Sequence, residues 1–300
     1  MNVPAIDLVY TWVNGEDPAY RAQCRQYAGT PVDLNPERYR DAYELLRYSL
    51  RSVDLFAPWI RDIYLFTCRP QTPAWLDTTH PRIHVIHHDE LIAPEYLPTF
   101  SCNVIESYLH RIPSRSDYLL YMNDDFLFGA PTRPEDFLTP DGKINVFGSL
   151  FGEALRFRVY DGKNDLVSLG PIEHAPILIF KPYWAAMQES FSAEIERTRR
   201  HRFRQRDDVR MDKLYRYHLL AYHRDRVRVV SALQLLKRHR FHKIKNEWHR
   251  QEKAIRGLER MRPVFYCLND DQRDRPDERV VELVRRFLDD YYPGKSPFEK

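Results

Sequence analysis

The feature that most constrains this chain is a pair of strand-like segments that each end in Asn-Asp-Asp. The apolar run 118–122 is followed by Asn123-Asp124-Asp125, and the run 263–268 is followed by Asn269-Asp270-Asp271. Short apolar runs between polar residues are typical of buried strands. Because ligands bind beyond the carboxyl ends of strands in open α/β sheets, the two acidic ends predict one shared site for a divalent cation. For either copy alone, the structural alternative is a turn or a helix N-cap.

The first 130 residues alternate strand-like and helix-like segments. The β-branched and aromatic run 5–13 predicts a strand that ends in the turn Asn14-Gly15. Apolar residues recur at helical spacing between Tyr39 and Phe56, so that segment is predicted to be a helix. This alternation is typical of an α/β fold with a mainly parallel, Rossmann-like sheet flanked by helices. Further strands are predicted at 62–67, 82–87 and 118–122, and a further helix at about 103–110.

We interpret residues 1–300 as one domain, because no linker, repeat or low-complexity tract divides the sequence. It comprises an N-terminal α/β part (5–130), a basic and mostly helical insertion (180–262), and a closing strand with a C-terminal helix (263–300). The last helix is predicted at 278–291, where apolar residues share one face. The middle of the chain is predicted to contain strands at 144–147 and 177–180 and helices at 183–200 and 209–222.

Basic residues crowd between Arg197 and Arg262, although the formal net charge of the chain is only +3. The runs 197–204 and 237–243 are the densest. Such a face attracts nucleic acid, an anionic membrane surface or an anionic polymer. A solvated helix face explains the same run equally well. Since the sequence contains no nucleic-acid-binding motif, we predict no nucleic-acid partner.

The cysteines and the hydropathy of the chain bear on its location. Four cysteines lie far apart without a C-x-x-C pair, which favours reduced thiols over a zinc site or a disulfide framework. No apolar run reaches about 18 residues and no signal peptide precedes Ile6, so neither a transmembrane helix nor secretion is predicted. The expected location is the cytoplasm, with peripheral contact at the inner face of the cell membrane left open.

Two single residues are further candidates for chemistry. Asp7 interrupts an apolar strand, and an unpaired buried carboxylate costs several kcal/mol. Asp7 therefore has either a functional role or a structural ion pair with a core arginine. His174 precedes a predicted strand, and an imidazole titrates near neutrality, which suits a general base. The alternative for His174 is a hydrogen-bonded structural histidine.

Four blocks of sequence occur in order across nearly the whole chain. They include Ile6-Asp-Leu-Val-Tyr-Thr-Trp-Val-Asn-Gly15, then Leu97-Pro-Thr-Phe100 with Asn123-Asp-Asp125, then His174-Ala-Pro176, and finally Cys267-Leu-Asn-Asp270. These blocks resemble the Stealth proteins, a family that contains bacterial capsular polysaccharide phosphotransferases and the catalytic subunit of the animal N-acetylglucosamine-1-phosphotransferase. The chain departs from the family pattern where Ser101-Cys102 follows Phe100 in place of Asn-Ser.

The resemblance implies an enzyme of capsular or cell-surface polysaccharide synthesis. It would transfer hexose-1-phosphate or N-acetylhexosamine-1-phosphate from a UDP-sugar, by default UDP-GlcNAc, to a hydroxyl of a glycan or polysaccharide acceptor. A phosphodiester would form and UMP would leave. Contact with the capsule assembly machinery is left open.

The resemblance also implies roles for individual residues. Strand-end carboxylates would hold Mg²⁺ or Mn²⁺, His174 would be the base, and Arg204 would grip phosphate oxygens. Asp7 would border the nucleotide as a further catalytic residue. If His174 is not the base, His218 and His223 are the next candidates. The metal ligands are assigned to Asp124, Asp125 and Asp270, and nucleotide-sugar contacts to Asn14, Gly15, Arg47, Asn123 and Asn269.

Two rival functions remain at this stage. A metal-dependent glycosyltransferase would use the same donor and a similar acidic site, but would attack the anomeric carbon and release UDP. A nucleic-acid-binding protein would explain the basic residues 197–243, yet would leave the two acidic strand ends without a purpose.

We further expect Lys237, Arg238, Arg240 and Lys243 to form a groove for an anionic acceptor.

Overall fold

The computed structural model describes residues 4–30, 40–155, 167–172 and 174–300. The strands are β1 (Ile6–Trp12), β2 (Ile63–Thr67), β3 (Ile83–His87), β4 (Tyr118–Asn123), β5 (Phe126–Phe128), β6 (Ile144–Leu155), β7 (Val167–Pro171), β8 (Ile177–Phe180), β9 (Val227–Val230), β10 (His239–Ile244) and β11 (Phe265–Asp270). The helices are α1 (Pro18–Tyr27), α2 (Leu45–Phe56), α3 (His88–Leu91), α4 (Cys102–Glu106), α5 (Lys181–Ser190), α6 (Ser192–Arg199), α7 (Met211–Tyr222), α8 (Ala232–Leu235), α9 (Trp248–Met261) and α10 (Glu278–Tyr291). Single turns of 3₁₀ helix span Pro94–Tyr96, Leu109–Arg111, Pro134–Asp136 and Arg224–Arg226.

The central sheet has the strand order β3-β2-β1-β4-β8. Its first four strands are parallel and β8 is antiparallel, so the predicted mainly parallel α/β fold is confirmed. The strand order reverses at β1, because β2 and β3 follow on one side of it and β4 lies on the other. Ligands of open α/β sheets bind at such a reversal, beyond the carboxyl ends of the two strands. In this chain those ends are at Trp12 and Asn123.

A second sheet, with the order β10-β11-β5, begins directly beyond the end of β4. The chain leaves β4 at Asn123 and enters β5 at Phe126, so only Asp124 and Asp125 connect the two sheets at this point. β5 pairs antiparallel with β11, and Phe126 lies opposite Cys267. The two Asn-Asp-Asp segments are therefore brought together by direct strand pairing. A third sheet has the order β7-β6-β9.

Helix α2 fixes the second sheet against the first through two buried serines. The Tyr10 hydroxyl lies 2.6 Å from Ser49 Oγ, and Ser49 donates to the carbonyl oxygen of Phe126 at 2.5 Å. Ser52 Oγ accepts a hydrogen bond from the amide of Phe128 at 3.0 Å. These bonds satisfy backbone groups of β5 that would otherwise be buried without partners. Helix α2 consequently sets the position of β5, which follows Asp124 and Asp125 in the chain.

The structure differs from the sequence-based elements in the middle of the chain. The segment predicted as one helix at 183–200 is divided into α5 and α6 at Phe191. The basic segment 180–262 contains strands β9 and β10 in addition to its helices. Strand β10 was missed because its charged residues suggested a solvated helix face. The four cysteines are free thiols, and the helices that the structure describes include none long and apolar enough to span a bilayer.

The C-terminal tail is tied to α2 by Glu299, whose side chain is only 1% exposed. Its carboxylate accepts hydrogen bonds from Arg47 Nε at 2.6 Å and from Arg51 Nε at 2.7 Å. Burial alone would raise the pKa of Glu299, but hydrogen bonds from Arg51, from the backbone of Ser296 and from Arg47 outweigh it and lower the pKa to about 2. Glu299 therefore stabilises the fold as a carboxylate.

We predict that Glu299→Gln lowers the free energy of unfolding at pH 7 by about 3 kcal/mol, because two arginines lose their buried partner. The folded-state pKa lies below the usual value of 4.5, so this contribution is present above pH 4.5 and is lost as the pH falls toward 2. Urea unfolding at pH 7 and at pH 3 measures the difference. Glu282→Gln, which removes an exposed pair with Arg286, is the control and should change stability by less than about 0.5 kcal/mol. Equal effects of the two changes would contradict the prediction.

Candidate active site

Carboxylates gather at the reversal of strand order, beyond the ends of β1 and β4. Trp12, the last residue of β1, donates from its indole nitrogen to Asp41 Oδ2 at 3.3 Å. Burial raises the pKa of Asp41 to about 6. Burial also raises the pKa of Asp124 well above its usual value, and the charges of Asp125 and Asp41 raise it further. The negative charges of Asp125 and Asp41 thus both act on Asp124, at the place where the fold predicts a ligand.

Asp125 links this acidic group to the second sheet. Its Oδ2 accepts hydrogen bonds from Cys267 Sγ at 3.1 Å and from Asn269 Nδ2 at 3.3 Å. Burial raises the pKa of the Cys267 thiol well above its usual value, so the thiol is a protonated donor to Asp125. The other carboxylate oxygen, Oδ1, is buried and has no hydrogen-bond partner among the described residues. A buried carboxylate oxygen without a hydrogen-bond partner is available to a ligand that the protein itself does not supply.

His174 lies against the same carboxylate. A ligand nitrogen of His174, an oxygen of Asp125 and the sulfur of Cys267 lie within 4.8 Å of one another. The His174 ring stacks on Phe241, with 4.4 Å between ring centres and 11° between planes. Its backbone has a φ of 55°, a left-handed conformation that is uncommon for residues other than glycine. His239 Nε2 donates to the carbonyl oxygen of His174 at 3.1 Å and so helps to hold that conformation.

A second polar group at the end of β4 consists of Tyr121, Asn123 and Glu106. The Tyr121 hydroxyl is 2.7 Å from Asn123 Oδ1 and 3.1 Å from Glu106 Oε1. Burial raises the pKa of Glu106 to about 7, the charge of Asp212 adds to the rise, and the charge of Arg204 opposes it. The charge of Arg204 therefore acts on the Glu106 carboxyl, whose Oε1 lies beside Tyr121 at the end of β4.

Asp125 belongs to a group of possible metal ligands, because one atom each of Asp125, His174 and Cys267 lie within 4.8 Å of one another. Mg²⁺ and Mn²⁺ prefer carboxylate oxygens, which Asp125 provides in this group, and Asp124 precedes it directly in the chain. A bound cation would offset the mutual repulsion that raises the pKa of Asp124 and would give Asp125 Oδ1 a partner. The protonated Cys267 thiol is a hydrogen-bond donor in this group, so it is not a ligand in the form described.

Several predicted site residues lie elsewhere. Asp7 is at the amino end of β1 and pairs with Arg61, its Oδ2 lying 2.7 Å from Nη2. Its register partner on β4 is Leu119, five residues before Asp124, which corresponds to about 16 Å along the strand. The contacts of Asp7 are those of the structural ion pair that the sequence left as the alternative.

Asp270 and Arg47 also have other partners. Asp270 Oδ2 accepts hydrogen bonds from Arg40 Nε and Nη2 at 2.8 and 2.6 Å, and its Oδ1 accepts from the amide of Gln272. This carboxylate is therefore fully used within the protein, in contrast to Asp125. Arg47 contacts Glu299 in the tail. The structure brings neither residue into the acidic group.

The remaining predicted residues divide between the two ends of the sheet. The turn Asn14-Gly15 follows β1 at the site end, and Gln71 holds its backbone through hydrogen bonds of 2.8 and 2.9 Å to Asn14. His223 stacks on Tyr183, which contacts Phe180, and Phe180 is opposite the first residue of β4. The ring centres of His218 and His223 lie 5.1 Å apart. Both alternative candidates for the general base are therefore at the end of the sheet opposite to Asp124 and Asp125.

Family comparisons agree with this arrangement. The models for conserved regions 1, 2, 3 and 4 of the Stealth proteins match residues 4–30, 38–146, 173–221 and 256–300, in order along the chain. Together these matches cover well over half of the sequence. An α/β fold with an acidic site at the reversal of its strand order is thus combined with all four regions of one family. The chain belongs to the Stealth family.

Curated relatives align over nearly the whole chain. The exopolysaccharide phosphotransferases SCO2594 and SCO6023 of Streptomyces coelicolor are 34% and 36% identical over 98% of this chain, and the alignments cover 51% and 52% of those proteins. The exopolysaccharide phosphotransferase CpsY of Mycobacterium tuberculosis is 31% identical over 98% of this chain and 58% of its own length. This chain therefore spans about half the length of the curated relatives it matches.

A solved structure also aligns over most of the chain. The galactosyltransferase LgtC, in complex with donor and acceptor sugar analogs, aligns with a TM-score of 0.49 and 12% identity over 97% of this chain and 96% of that chain.

Two residues of the site were missed from the sequence. Asp41 lies in the segment 39–56 that the sequence assigned to a helix, whereas α2 begins only at Leu45, so Asp41 was not considered as a site residue. Glu106 follows Val104 and Ile105 in a short buried helix. A carboxylate inside an apolar segment was the signal used for Asp7, and the same signal would have identified Glu106.

We predict that Asp124→Asn stabilises the protein in EDTA and weakens its stabilisation by Mn²⁺. A carboxyl group whose folded-state pKa is raised favours the folded state at low pH and costs stability as the pH rises above its unfolded value. Removing it at pH 7 should raise the free energy of unfolding by about 1–2 kcal/mol. The parent protein should gain about 2.7 kcal/mol at a Mn²⁺ concentration a hundred times the Kd, and the variant much less.

Thermal and urea unfolding, each with EDTA and with Mn²⁺, measure these differences. The control is Asp290→Asn, which changes an exposed aspartate in α10 and should behave like the parent. An Asp124→Asn protein that is less stable than the parent in EDTA, or equally stabilised by Mn²⁺, would contradict the assignment of this acidic group.

Proposed function

We propose that this chain transfers hexose-1-phosphate or N-acetylhexosamine-1-phosphate from a UDP-sugar to a hydroxyl of a glycan acceptor in polysaccharide synthesis. The observation that carries the proposal is the contact of Asp125 with His174 beyond the end of β4, next to Asp124, whose pKa is raised by burial and by the charge of Asp125. Membership of the Stealth family and the names of the curated relatives support it. By default the donor is UDP-GlcNAc.

The proposed donor site is the edge formed by the ends of β1 and β4. Asp124 and Asp125 would hold Mg²⁺ or Mn²⁺, with Asp41 nearby. The cation, when bound, neutralises charge on the diphosphate. Arg204 would bind oxygens of the leaving phosphate, and Glu106 would position the guanidinium. Asn123 and the turn Asn14-Gly15 border this edge and could contact the nucleotide sugar.

The proposed chemical step is displacement at the sugar-bearing β-phosphorus. The acceptor oxygen forms a new bond to this phosphorus while its proton passes to the imidazole of His174. The bond from the β-phosphorus to the bridging oxygen breaks, and its electron pair leaves with that oxygen as part of UMP. The product is a sugar-phosphate-glycan phosphodiester. The stack on Phe241 and the bond from His239 hold His174 in place, which lowers the reorganisation needed during proton transfer.

We place this reaction in the cytoplasm, a location that the free thiols of the four cysteines favour. The acceptor is a glycan or a growing polysaccharide. Peripheral contact with the membrane or with capsule assembly proteins would bring the enzyme to such an acceptor.

The identity of the released nucleotide tests the proposed function. The purified chain is incubated with a panel of UDP-sugars, Mn²⁺ and glycan acceptors, and the products are separated by ion-exchange chromatography. UMP together with an acid-labile phosphodiester product is the expected result. Release of UDP with a glycosidic product would replace the proposal with a metal-dependent glycosyltransferase.

We predict that His174→Ala lowers the rate of transfer about a hundred- to ten-thousandfold, as is typical for the loss of a general base. The affinity for the UDP-sugar should change little, and the acidic limb of the pH–rate profile should disappear. His223→Ala is the matched control, because His223 lies at the opposite end of the sheet. A His174→Ala enzyme that keeps the acidic limb and near-normal turnover would show that another group is the base, and Glu106 would be examined next.

A further inference from the structure

Strand β10 presents one face to the general base of the proposed reaction. Residues 239, 241 and 243 alternate along this strand and therefore share one face. His239 bonds to the backbone of His174, and Phe241 stacks on its ring. The Lys243 ammonium lies 5.9 Å from the centre of the Phe241 ring. These contacts form a continuous row from the imidazole to the ammonium.

The pairing of β10 with β11 places the same face toward Asp125. The strands are parallel, with Phe241 opposite Cys267 and Lys243 opposite Asn269. Cys267 and Asn269 both donate to Asp125. Lys243 therefore lies on the strand next to Asn269, which contacts Asp125, and so is close to the site.

Lys243 has a charge that the structure leaves available. It is exposed, and within the described parts of the chain no carboxylate forms an ion pair with it. Two other basic residues of the run have partners: Arg238 pairs with Asp136, and Arg240 donates to the carbonyl oxygen of His239 from the alternate position of the strand. The groove of four basic residues stays a prediction, and Lys243 is the member of that set that contacts the ring stacked on His174.

We propose that Lys243 binds a phosphodiester of the acceptor, next to the hydroxyl that reacts, and so makes the enzyme prefer an acceptor that already carries such a link. This inference rests on the proposed function. The donor diphosphate would occupy the edge at Asp124 and Arg204, whereas Lys243 is linked to the imidazole of His174 through the Phe241 ring. The base must touch the acceptor hydroxyl, so a cation beside the base would meet the acceptor.

The chemistry of the product makes the phosphodiester the expected anion. Each transfer creates a phosphodiester between the old acceptor and the new terminal sugar. If that product accepts the next sugar phosphate, one negative charge lies a single residue behind the new reacting hydroxyl. A cation close to the base would select such a chain end over a neutral one. Lys243 would thereby favour elongation of a chain that the enzyme has begun.

The test uses two probes and three variants. The anionic probe is a short oligosaccharide of N-acetylglucosamine residues joined by phosphodiesters, and the neutral probe is the glycosidically linked oligosaccharide of the same length. The variants are Lys243→Gln, Lys243→Arg and the control Lys253→Gln, which removes an exposed charge from α9. Binding of each probe without donor is measured by calorimetry at low and at high salt, and transfer is measured as UMP release.

The expected result is that Lys243→Gln weakens binding of the anionic probe about fivefold at low salt, as for one exposed ion pair. KM for that probe should rise by a similar factor, while the neutral probe, the donor KM and kcat stay within about twofold. Lys243→Arg and Lys253→Gln should resemble the parent. The salt dependence of anionic-probe binding should be smaller in Lys243→Gln than in the parent.

Equal losses for both probes, or equal salt dependence in Lys243→Gln and the parent, would overturn the proposal for Lys243. A rise in donor KM alone would assign Lys243 to the UDP-sugar and would overturn it as well. Failure of the parent to release UMP with any acceptor would instead contradict the proposed function. The binding measurement without donor separates these two failures, because it does not depend on turnover.

Discussion

The structure depends on the passage of the chain from one sheet to another through only two residues, Asp124 and Asp125. β4 ends at the residue before them and β5 begins at the residue after them, so their backbone is held from both sides by strands. The amide of Leu268 donates to the carbonyl oxygen of Asp125 at 3.0 Å, and helix α2 holds the β5 backbone that follows. Two carboxylates are thereby kept together despite their repulsion. Such strain in the absence of a ligand is characteristic of binding sites, where stability is reduced for function.

The same passage joins groups that are far apart in sequence. β5 pairs with β11, which supplies Cys267 and Asn269 to Asp125, and β11 pairs with β10, which supports His174. The acidic group, the base and the face of β10 are consequently parts of one hydrogen-bonded assembly. In the proposed reaction the donor binds at the end of β4 and the acceptor binds beside β10, with β5 and β11 between these two strands. Under the proposed function, substitutions on β10 would change the acceptor preference without altering Asp124 and Asp125.

Much of this arrangement could be predicted from the sequence because the signals were local. The two strands that lead into Asn-Asp-Asp, the alternation of strands and helices, and the final helix each follow from patterns over a few residues, although β4 and β11 end at Asn123 and Asp270 and not at 122 and 268. The choice between Asp125 and Asp270 as ligands could not be made, because it depends on Arg40, which reaches Asp270 from a distant part of the chain. Asp7 carried the same ambiguity, and only the position of Arg61 distinguishes an ion pair from a nucleotide contact. Long-range partners of this kind leave no trace in a local pattern.

The central claim is that Asp124 and Asp125 form the cation site of the donor edge. The most direct measurement is anomalous diffraction from crystals grown with Mn²⁺ and a non-hydrolysable UDP-GlcNAc analogue. The account predicts an anomalous peak within about 2.5 Å of carboxylate oxygens of Asp124 and Asp125, with diphosphate oxygens completing the coordination. A peak at the surface group of His201, Asp207 and Asp208, or at Asp270, with none at the acidic pair, would contradict it.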